Sequence, residues 1–193
     1  MRVILGSSSP RRKEILDYFS LPFTQIPSEF DEEAVPFNGD PLVYAMTLSE
    51  GKAKNLARRY PDACILTADT IVFQDGKLYS KPENQKQALQ FLTELAGGSH
   101  EVYTAVSLFS KQEIFSKAEM TRVFFHPLTE AQIKRYHTIF SCTDKAGGYG
   151  IQMAGSIIVK KIEGCFYNVM GLPINVVASL LKKVDIDLWD YLR

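Results

Sequence analysis

The chain has 193 residues, of which 46% are hydrophobic and 23% are charged, as in an ordinary globular protein. Lysine plus arginine and aspartate plus glutamate each number 22, so the net charge is zero, which argues against a broad basic surface for nucleic acid. No apolar run approaches the roughly 20 residues that span a bilayer, and the polar residues after Leu5 argue against a signal peptide. We therefore expect a cytoplasmic protein with neither a membrane partner nor a stable nucleic-acid partner.

The three cysteines, Cys64, Cys142 and Cys165, are far apart in the sequence. The sequence contains no C-x-x-C pair and no zinc-type spacing of cysteine and histidine, so a zinc site is not expected. A low, odd number of cysteines is typical of reduced thiols rather than of a secreted disulfide framework.

The first part of the chain predicts strands alternating with helices. Residues Arg2 to Leu5 predict a short buried strand, and Pro10 suits the first position of a helix because its missing N–H is not needed there. A second strand is predicted from Phe23 to Ile26. The pair Asp40-Pro41 then predicts the start of a long helix that ends near residue 60.

The middle of the chain is richer in strands. The run CILTADTIVF predicts a buried strand, and the QDGK that follows predicts a turn at Asp75-Gly76. A helix is predicted from Pro82 to Leu95, and two long strands joined at Ser110-Lys111 come after it. Alternation followed by clustered strands indicates an α/β protein with a mixed β-sheet flanked by helices.

The last third predicts two further helices and one strand. Thr129 and Gln132 match a capping box, which predicts a helix over Glu130 to Phe140. The segment DKAGGYGIQ predicts a glycine-rich loop, and a strand is expected from Ser156 to Ile162. Pro173 is placed to open the last helix.

The segment LGSSSPRRKE is a candidate anion site. Ser7, Ser8 and Ser9 would present hydroxyls and backbone N–H groups where a strand passes into a helix, and helix N-termini bind anions. Arg11 and Arg12 lie in the first helical turn, where positive charge opposes the helix dipole, so a bound phosphate would explain their presence. The alternative is a flexible Ser-Pro loop with two solvated arginines.

Several charged residues stand in contexts that bear on function. Asp69 interrupts an otherwise apolar strand, and a carboxylate there is costly unless it faces a cleft or binds a cation. The acidic run around Glu32 is by itself typical of a solvated turn, and a lone lysine such as Lys52 within a helix is usually at the surface. Lys81 precedes Pro82, which holds it extended near a strand end.

The chain resembles the Maf family over nearly its whole length. From Val3 to about Leu181 it contains, in that family's order and spacing, the segments SSSPRRKEIL, DEE, SEGKAKN, ADTIV, SKPEN, GGSHEVYTAV, DKAGGYGIQ and YNVMGLP. The resemblance implies a single Maf-like domain over residues 1–193, with an elongated mixed sheet and two lobes around a central cleft, similar to the inosine triphosphatase fold. It also implies a homodimer and a nucleoside triphosphate pyrophosphatase that uses a divalent metal cation, Mg²⁺ or Mn²⁺.

The resemblance assigns roles to individual residues. It implies that Asp69 is the catalytic proton acceptor and that Glu32 is the N-terminal acid, so that Glu32 and Asp69 are the expected metal ligands. The residues expected to bind the phosphates are Ser7, Ser9, Arg11, Arg12, Lys52 and Lys81. The residues expected to set substrate choice are Arg11, Thr70 and Gln152.

Two features resemble the family branch that acts on dTTP and UTP. These are Thr70 directly after Asp69 and the late segment AGGYGIQ, whereas the branch acting on 7-methyl-GTP typically has glutamine after that aspartate. The chain departs from the family pattern at Gly6, Ser80 and Gly148, which bear on turn geometry rather than on the polar site residues.

The chemistry of these residues fits hydrolysis of a triphosphate and leaves some alternatives open. Cations and a metal would neutralise the phosphates, and Asp69 could accept a proton from water or hold the metal. Gln152 offers a donor and an acceptor to the edge of uracil or thymine. The alternatives are a house-cleaning pyrophosphatase for modified nucleotides and a nucleotide-binding regulator of cell division that acts by contact.

Overall fold

Strands and helices alternate along the computed structural model, which describes residues 2–192. The strands are β1 (Val3–Gly6), β2 (Phe23–Gln25), β3 (Cys64–Gln74), β4 (Lys77–Tyr79), β5 (Ser99–Ser110), β6 (Glu113–Phe125) and β7 (Val159–Glu163). The α-helices are α1 (Pro10–Leu16), α2 (Pro41–Ala57), α3 (Gln85–Leu95), α4 (Glu130–Ile139), α5 (Phe166–Met170) and α6 (Ile174–Leu181). Among residues 2–192, no helix is both long enough and apolar enough to cross a bilayer.

The described strands form one sheet of mixed direction. Their order is β2-β1-β3-β5-β6-β7, and β4 pairs with β3. Strand β1 is parallel to β2 and to β3, whereas β4 is antiparallel to β3 and β7 is antiparallel to β6. The predicted fold class, an α/β protein with a mixed β-sheet and flanking helices, is confirmed.

The chain forms two compact units, and three strands contribute to both. The first unit comprises Met1–Asp69, Thr104–Glu119 and Gly171–Arg193, and the second comprises Thr70–Tyr103 and Met120–Met170. Each unit has its own apolar core. In the first, Ile4, Leu56 and Ile65 are fully buried, and in the second Leu92 and Val123 are.

Local sequence signals set several element boundaries as predicted. The Asp40 carboxylate caps α2 by accepting hydrogen bonds from the N–H groups of Leu42 and Val43. Thr129 and Gln132 form both hydrogen bonds of the capping box at the start of α4. The turn at Asp75-Gly76 has positive φ at both residues, as a tight hairpin turn requires.

Other boundaries differ from the sequence prediction. Helix α3 begins at Gln85 rather than Pro82, because the Asn84 side chain caps it by accepting from the Gln87 N–H. The strand expected from Ser156 begins only at Val159, since Met153–Ile157 forms a 3-10 helix. Strand β4 and helix α5 are short elements that the sequence analysis does not predict.

Candidate active site

Two acids share one lysine in the first unit. The Lys52 ammonium donates a hydrogen bond to Asp69 Oδ1 and lies 2.9 Å from Glu32 Oε1. The side chains of Lys52 and Asp69 are only 10% and 9% exposed, whereas that of Glu32 is 44% exposed. We call Glu32, Lys52 and Asp69 the acid–lysine cluster.

Lys52 is buried, although a lone lysine within a helix is usually at the surface. Lys52 follows Leu48 by one helical turn on α2, and both residues are buried. Asp69 is on β3, where its neighbours Ala68 and Ile71 are buried as well. A buried ammonium and a buried carboxylate are tolerated here because each is the other's counter-ion.

A loop before α2 brings Glu32 to the acid–lysine cluster, and residues of the motif SEGKAKN on α2 contact that loop. Gly51 leaves room for the Phe30 ring, which a Cβ at that position would meet. Asn55 Oδ1 accepts hydrogen bonds from the Ser28 hydroxyl at 3.1 Å and from the Glu29 N–H at 3.2 Å. The loop is thus fixed to the helix turns on either side of Lys52.

Arg12 is held in the first unit by backbone carbonyls. Its Nε donates to the Gly171 carbonyl at 2.8 Å, and its Nη1 donates to the Ala68 carbonyl at 2.7 Å and to Ser7 Oγ at 3.4 Å. Since Ala68 directly precedes Asp69, these bonds place the guanidinium beside the part of β3 that carries Asp69. The structure therefore brings Arg12 and Ser7 together with the acid–lysine cluster, as the resemblance implies.

The serine loop turns tightly between β1 and α1. The Ser7 N–H donates to the Leu5 carbonyl at 3.0 Å, and the Ser9 N–H donates to Ser7 Oγ at 3.1 Å. Ser9 is the N-cap residue of α1, but its side chain makes no capping bond. Arg11 is half-buried in the first turn of that helix. The predicted order of strand, serine loop and helix is thus present in the first unit, and anion binding there stays a prediction.

The surroundings shift the acid–base properties of the site. Burial raises the pKa of the Asp69 carboxyl above its ordinary value, while the charges of Lys52 and Arg12 act in the opposite direction. Burial also lowers the pKa of Arg12, and the Asp69 carboxylate opposes this change. A raised pKa makes Asp69 a better proton acceptor than an exposed aspartate.

Tyr44 is a neighbour of the site that the sequence analysis missed. It precedes Lys52 by eight residues on α2, which places both on the same helix face. Burial raises the pKa of Tyr44, and the charges of Asp69 and Glu32 raise it further, so the phenol lies within the electric field of both acids. The signal available in the sequence is its helical spacing from Lys52.

The remaining predicted site residues belong to the second unit. Thr70 follows Asp69 on β3 and is half-buried. Lys81 is exposed just after β4, and Gln152 is half-buried at the N-cap of the 3-10 helix Met153–Ile157. Their grouping with the acid–lysine cluster stays a prediction.

Within the second unit, the glycine-rich segment before Gln152 is firmly braced. The Gly147 N–H donates to the Ser80 carbonyl at 3.2 Å, which ties the segment to the residue before Lys81. The Gly150 N–H donates to the Tyr136 hydroxyl at 3.2 Å. His137 Nε2 is 2.8 Å from the Gly148 carbonyl. Lys81 and Gln152 are therefore attached to one braced region of that unit.

The acid–lysine cluster provides few ligands for a metal. Within residues 2–192, no group of three or more histidine, cysteine, aspartate or glutamate side chains is arranged to hold a metal ion. Glu32 and Asp69 nevertheless both contact the Lys52 ammonium, so both reach one small cation. One or two carboxylates completed by water and substrate phosphates are the usual protein ligands of Mg²⁺, so these residues fit such an ion.

A serine loop between a strand and a helix, beside a buried acid and two cations, is an arrangement suited to hydrolysis of a phosphate anhydride. The comparisons with known proteins agree with this class. The family model described as Maf-like protein matches residues 2–184, and the chain belongs to that family.

Similar proteins include two from Chlamydia. The chain is 45% identical over 192 residues to the dTTP/UTP pyrophosphatase of Chlamydia caviae, covering 99% of this chain and 98% of that protein. It is 42% identical over 193 residues to the dTTP/UTP pyrophosphatase of Chlamydia trachomatis, with the same coverage. Among solved structures, the Ham1 protein of Staphylococcus aureus matches with a TM-score of 0.46 and 10% identity over 65% of this chain and 72% of that one.

Proposed function

We propose that this protein is a nucleoside triphosphate pyrophosphatase that hydrolyses dTTP and UTP to the monophosphate and pyrophosphate. The observation that carries the proposal is the buried Lys52–Asp69 pair with Glu32 and Arg12 in a member of the Maf-like family. The full-length similarity to proteins named dTTP/UTP pyrophosphatase supports the choice of substrate.

The cations of the first unit would bind the triphosphate. A planar guanidinium fixed by two carbonyls presents its charge in one orientation, which suits phosphate oxygens. The loop Ser7–Ser9 would add hydroxyl and backbone N–H donors at the N-terminus of α1. Lys81 is proposed to bind phosphate from the second unit, and Lys52 to neutralise charge that develops on the leaving pyrophosphate.

Asp69 is proposed to accept the proton of the attacking water. The water oxygen forms a bond to the α-phosphorus, the bond from that phosphorus to the bridging oxygen breaks, and pyrophosphate leaves. The pKa of Asp69 is raised by burial, which brings it closer to the value at which a carboxylate is an effective general base. Lys52 would hold the carboxylate in place through its hydrogen bond to Oδ1.

Glu32 is proposed to hold the divalent cation, Mg²⁺ or Mn²⁺, and Asp69 would be its second ligand in the alternative in which it binds the metal instead of accepting the proton. Bound there, such an ion would supply positive charge against the triphosphate. The site would thus reach approximate charge balance from Arg12, Lys52, Lys81 and the cation.

Gln152, Thr70 and Arg11 are proposed to set the choice of base. A glutamine amide offers one donor and one acceptor, which match the N3–H and O4 of uracil and thymine. The braced glycine-rich segment would hold that amide in a fixed place, so that it favours one hydrogen-bonding pattern.

The activity is tested with a panel of nucleotides. Purified protein with Mg²⁺ or Mn²⁺ is given dTTP, UTP, CTP, ATP and GTP, and pyrophosphate and monophosphate are measured together. We expect the highest kcat/KM with dTTP and UTP and equal amounts of the two products. Release of inorganic phosphate, or a preference for a purine nucleotide, would contradict the proposal.

The homodimer implied by the resemblance stays a prediction that analytical ultracentrifugation of the same protein would test.

Substitution of Gln152 tests the proposed base recognition. In Gln152→Ala we expect kcat/KM for dTTP and UTP to fall on the order of 10- to 100-fold, from the roughly 1–3 kcal/mol cost of an unpaired polar base edge. The values for CTP and ATP should change much less. Gln90→Ala, which alters an exposed glutamine of α3, is the matched control. An equal fall for all four nucleotides would remove Gln152 from base recognition.

A further inference from the structure

Helix α2 and strand β3 are joined by a second buried bond beside the Lys52–Asp69 pair. The Thr67 hydroxyl donates to the Ser49 carbonyl at 2.7 Å, and both residues are 0% exposed. Thr67 and Asp69 are two residues apart on β3, so their side chains point to the same face of the strand. Ser49 and Lys52 are three residues apart on α2, so they are neighbours on the helix surface.

The Ser49 hydroxyl extends this contact to strand β5. Its Oγ is 2.7 Å from Ser107 Oγ, and Ser107 Oγ is in turn 2.9 Å from Ser116 Oγ. Ser107 is also 0% exposed. We call Thr67, Ser49 and Ser107 the hydroxyl clamp.

Thr67 also touches the beginning of the serine loop. It is paired with Gly6 in the register of β1 and β3. A Cβ at Gly6 would lie 2.6 Å from Thr67 Cγ2, so the methyl group of Thr67 packs directly against the glycine backbone. One buried threonine therefore contacts the strand end that leads into Ser7, and it binds the helix that carries Lys52.

The hydroxyl clamp contains a directed hydrogen bond at a position where an apolar side chain would pack equally well. The directly adjacent residues Leu66 and Ala68 are buried and apolar, and a valine would match the shape of Thr67 without a polar group to satisfy. A buried hydroxyl is tolerated because it has a partner, and its bond has direction where an apolar contact has none. The hydroxyl clamp thus fixes the rotation and height of α2 over β3 within one turn of Lys52.

We propose that Thr67 and Ser49 are positioning residues that hold the Lys52 ammonium and the Asp69 carboxylate in register for the reaction. This inference rests on the proposed function for its catalytic readout. Misplacing a catalytic group by about 1 Å can cost on the order of 100-fold in rate. The clamp should therefore affect kcat much more than it affects nucleotide binding.

The test compares Thr67→Val, which removes the hydroxyl and keeps the shape, with Thr67→Ser, which keeps the hydroxyl. The control is Thr121→Val, which removes another fully buried threonine hydroxyl that binds Cys165 and Asn168 in the second unit. All variants are first shown to be folded at the assay temperature by circular dichroism. We expect kcat for dTTP to fall on the order of 10- to 100-fold in Thr67→Val. The affinity for α,β-imido-dUTP, measured by calorimetry, should stay near the wild-type value.

Two outcomes would overturn the inference. One is a kcat in Thr67→Val no lower than in Thr121→Val, and the other is a Thr67→Ser variant as slow as Thr67→Val. Because every variant is first shown to be folded at the assay temperature, a general loss of stability does not produce these outcomes.

A second readout does not depend on turnover. Lys52 acetylation by acetic anhydride is followed by mass spectrometry in the same proteins, with the exposed Lys54 as an internal reference. We expect faster acetylation of Lys52 in Thr67→Val than in wild type and in Thr121→Val. An unchanged rate of Lys52 acetylation would contradict the positioning role, even if the wild type released no pyrophosphate. A wild-type protein that released no pyrophosphate would by itself contradict only the proposed function.

Discussion

The two units bury polar side chains in different ways. In the first unit, the interior holds charges: the Lys52 ammonium binds the Asp69 carboxylate, and the Arg12 guanidinium binds backbone carbonyls. In the second unit, the interior holds neutral groups: His100 Nε2 is 2.7 Å from the Tyr149 hydroxyl, and both rings pack edge-on against Phe125.

Under the proposed function, the difference separates a reactive cluster from one that only stabilises the fold. Burial lowers the pKa of His100 to about 4, so this histidine is neutral at pH 7. The Asp69 pair, by contrast, keeps opposite charges at a considerable desolvation cost. Charges that cost stability are retained where they serve binding and catalysis, whereas the histidine–tyrosine pair needs only to hold the glycine-rich segment in place.

Of the substitutions that compare the acid–lysine cluster with the His100–Tyr149 pair, removal of Lys52 should have the largest effect. In Lys52→Met the buried Asp69 loses its counter-ion, so we expect a loss of about 3–5 kcal/mol in the free energy of unfolding. Turnover of dTTP should fall on the order of 100-fold or more because a preorganised cation is lost. Urea denaturation and pyrophosphate release measure the two effects.

The control for that substitution is on the same helix. Lys54 is exposed and lies 3.3 Å from Glu50, so Lys54→Met should change stability by less than about 0.5 kcal/mol. Equal losses in the two variants would mean that the buried ion pair has no special role.

Removing the Tyr149 hydroxyl from the His100–Tyr149 pair should have a smaller effect, on stability rather than on turnover. In Tyr149→Phe the buried His100 loses its partner at Nε2, which should lower the free energy of unfolding by about 1–3 kcal/mol. Turnover should fall far less than in Lys52→Met because no charge is removed. A Tyr149→Phe enzyme that is stable but as inactive as Lys52→Met would erase the distinction between the clusters.

The last expected effect is a dependence of stability on pH, and it is absent at pH 7. The unfolded chain binds a proton at His100 near pH 6.5, but the folded protein does so only near pH 4. Acid therefore favours the unfolded state: His100 has no effect on stability above pH 6.5, and its destabilising contribution is complete below pH 4. The slope from this one group is at most about 1.4 kcal/mol per pH unit between those values.

The slope is measured by urea denaturation at several pH values. We expect a shallower dependence in His100→Gln than in wild type between pH 6.5 and 4. His126→Gln, which replaces an exposed histidine, is the matched control and should keep the wild-type slope. Identical slopes in His100→Gln and wild type would show that His100 is not a buried neutral base.

Local signals in the sequence predict much of the fold, because they act within a few residues. Asp40 and the Thr129–Gln132 box start their helices where expected, since a cap needs only its own first turn. The predicted start of α3 is wrong because Pro82 and Asn84 are both residues that favour a helix start, and they lie close together. The Asn84 side chain caps the helix and so sets its first residue at Gln85. Strand β4 is too short for its pattern to be distinguished from a turn.

The site is predictable to a lesser degree. Asp69 is conspicuous because an acid in an apolar strand needs an explanation, and the serine loop follows a strand directly. The burial of Lys52 depends on Asp69 and Glu32, which are distant in sequence, so the pattern of the helix alone does not show it. Thr67 is hidden for a similar reason: only the packing of α2 on β3 shows what its hydroxyl binds.

The most direct test of the central claim, that the buried charges of the first unit perform the hydrolysis, is turnover by Asp69→Asn. The substitution keeps the shape of the side chain and removes its charge, and Asp62→Asn, at an exposed position, is the matched control. We expect pyrophosphate release from dTTP and UTP to fall on the order of 100-fold or more in Asp69→Asn, the scale of general base catalysis, with the protein folded and the control unaffected. Near-normal turnover by folded Asp69→Asn would contradict the claim.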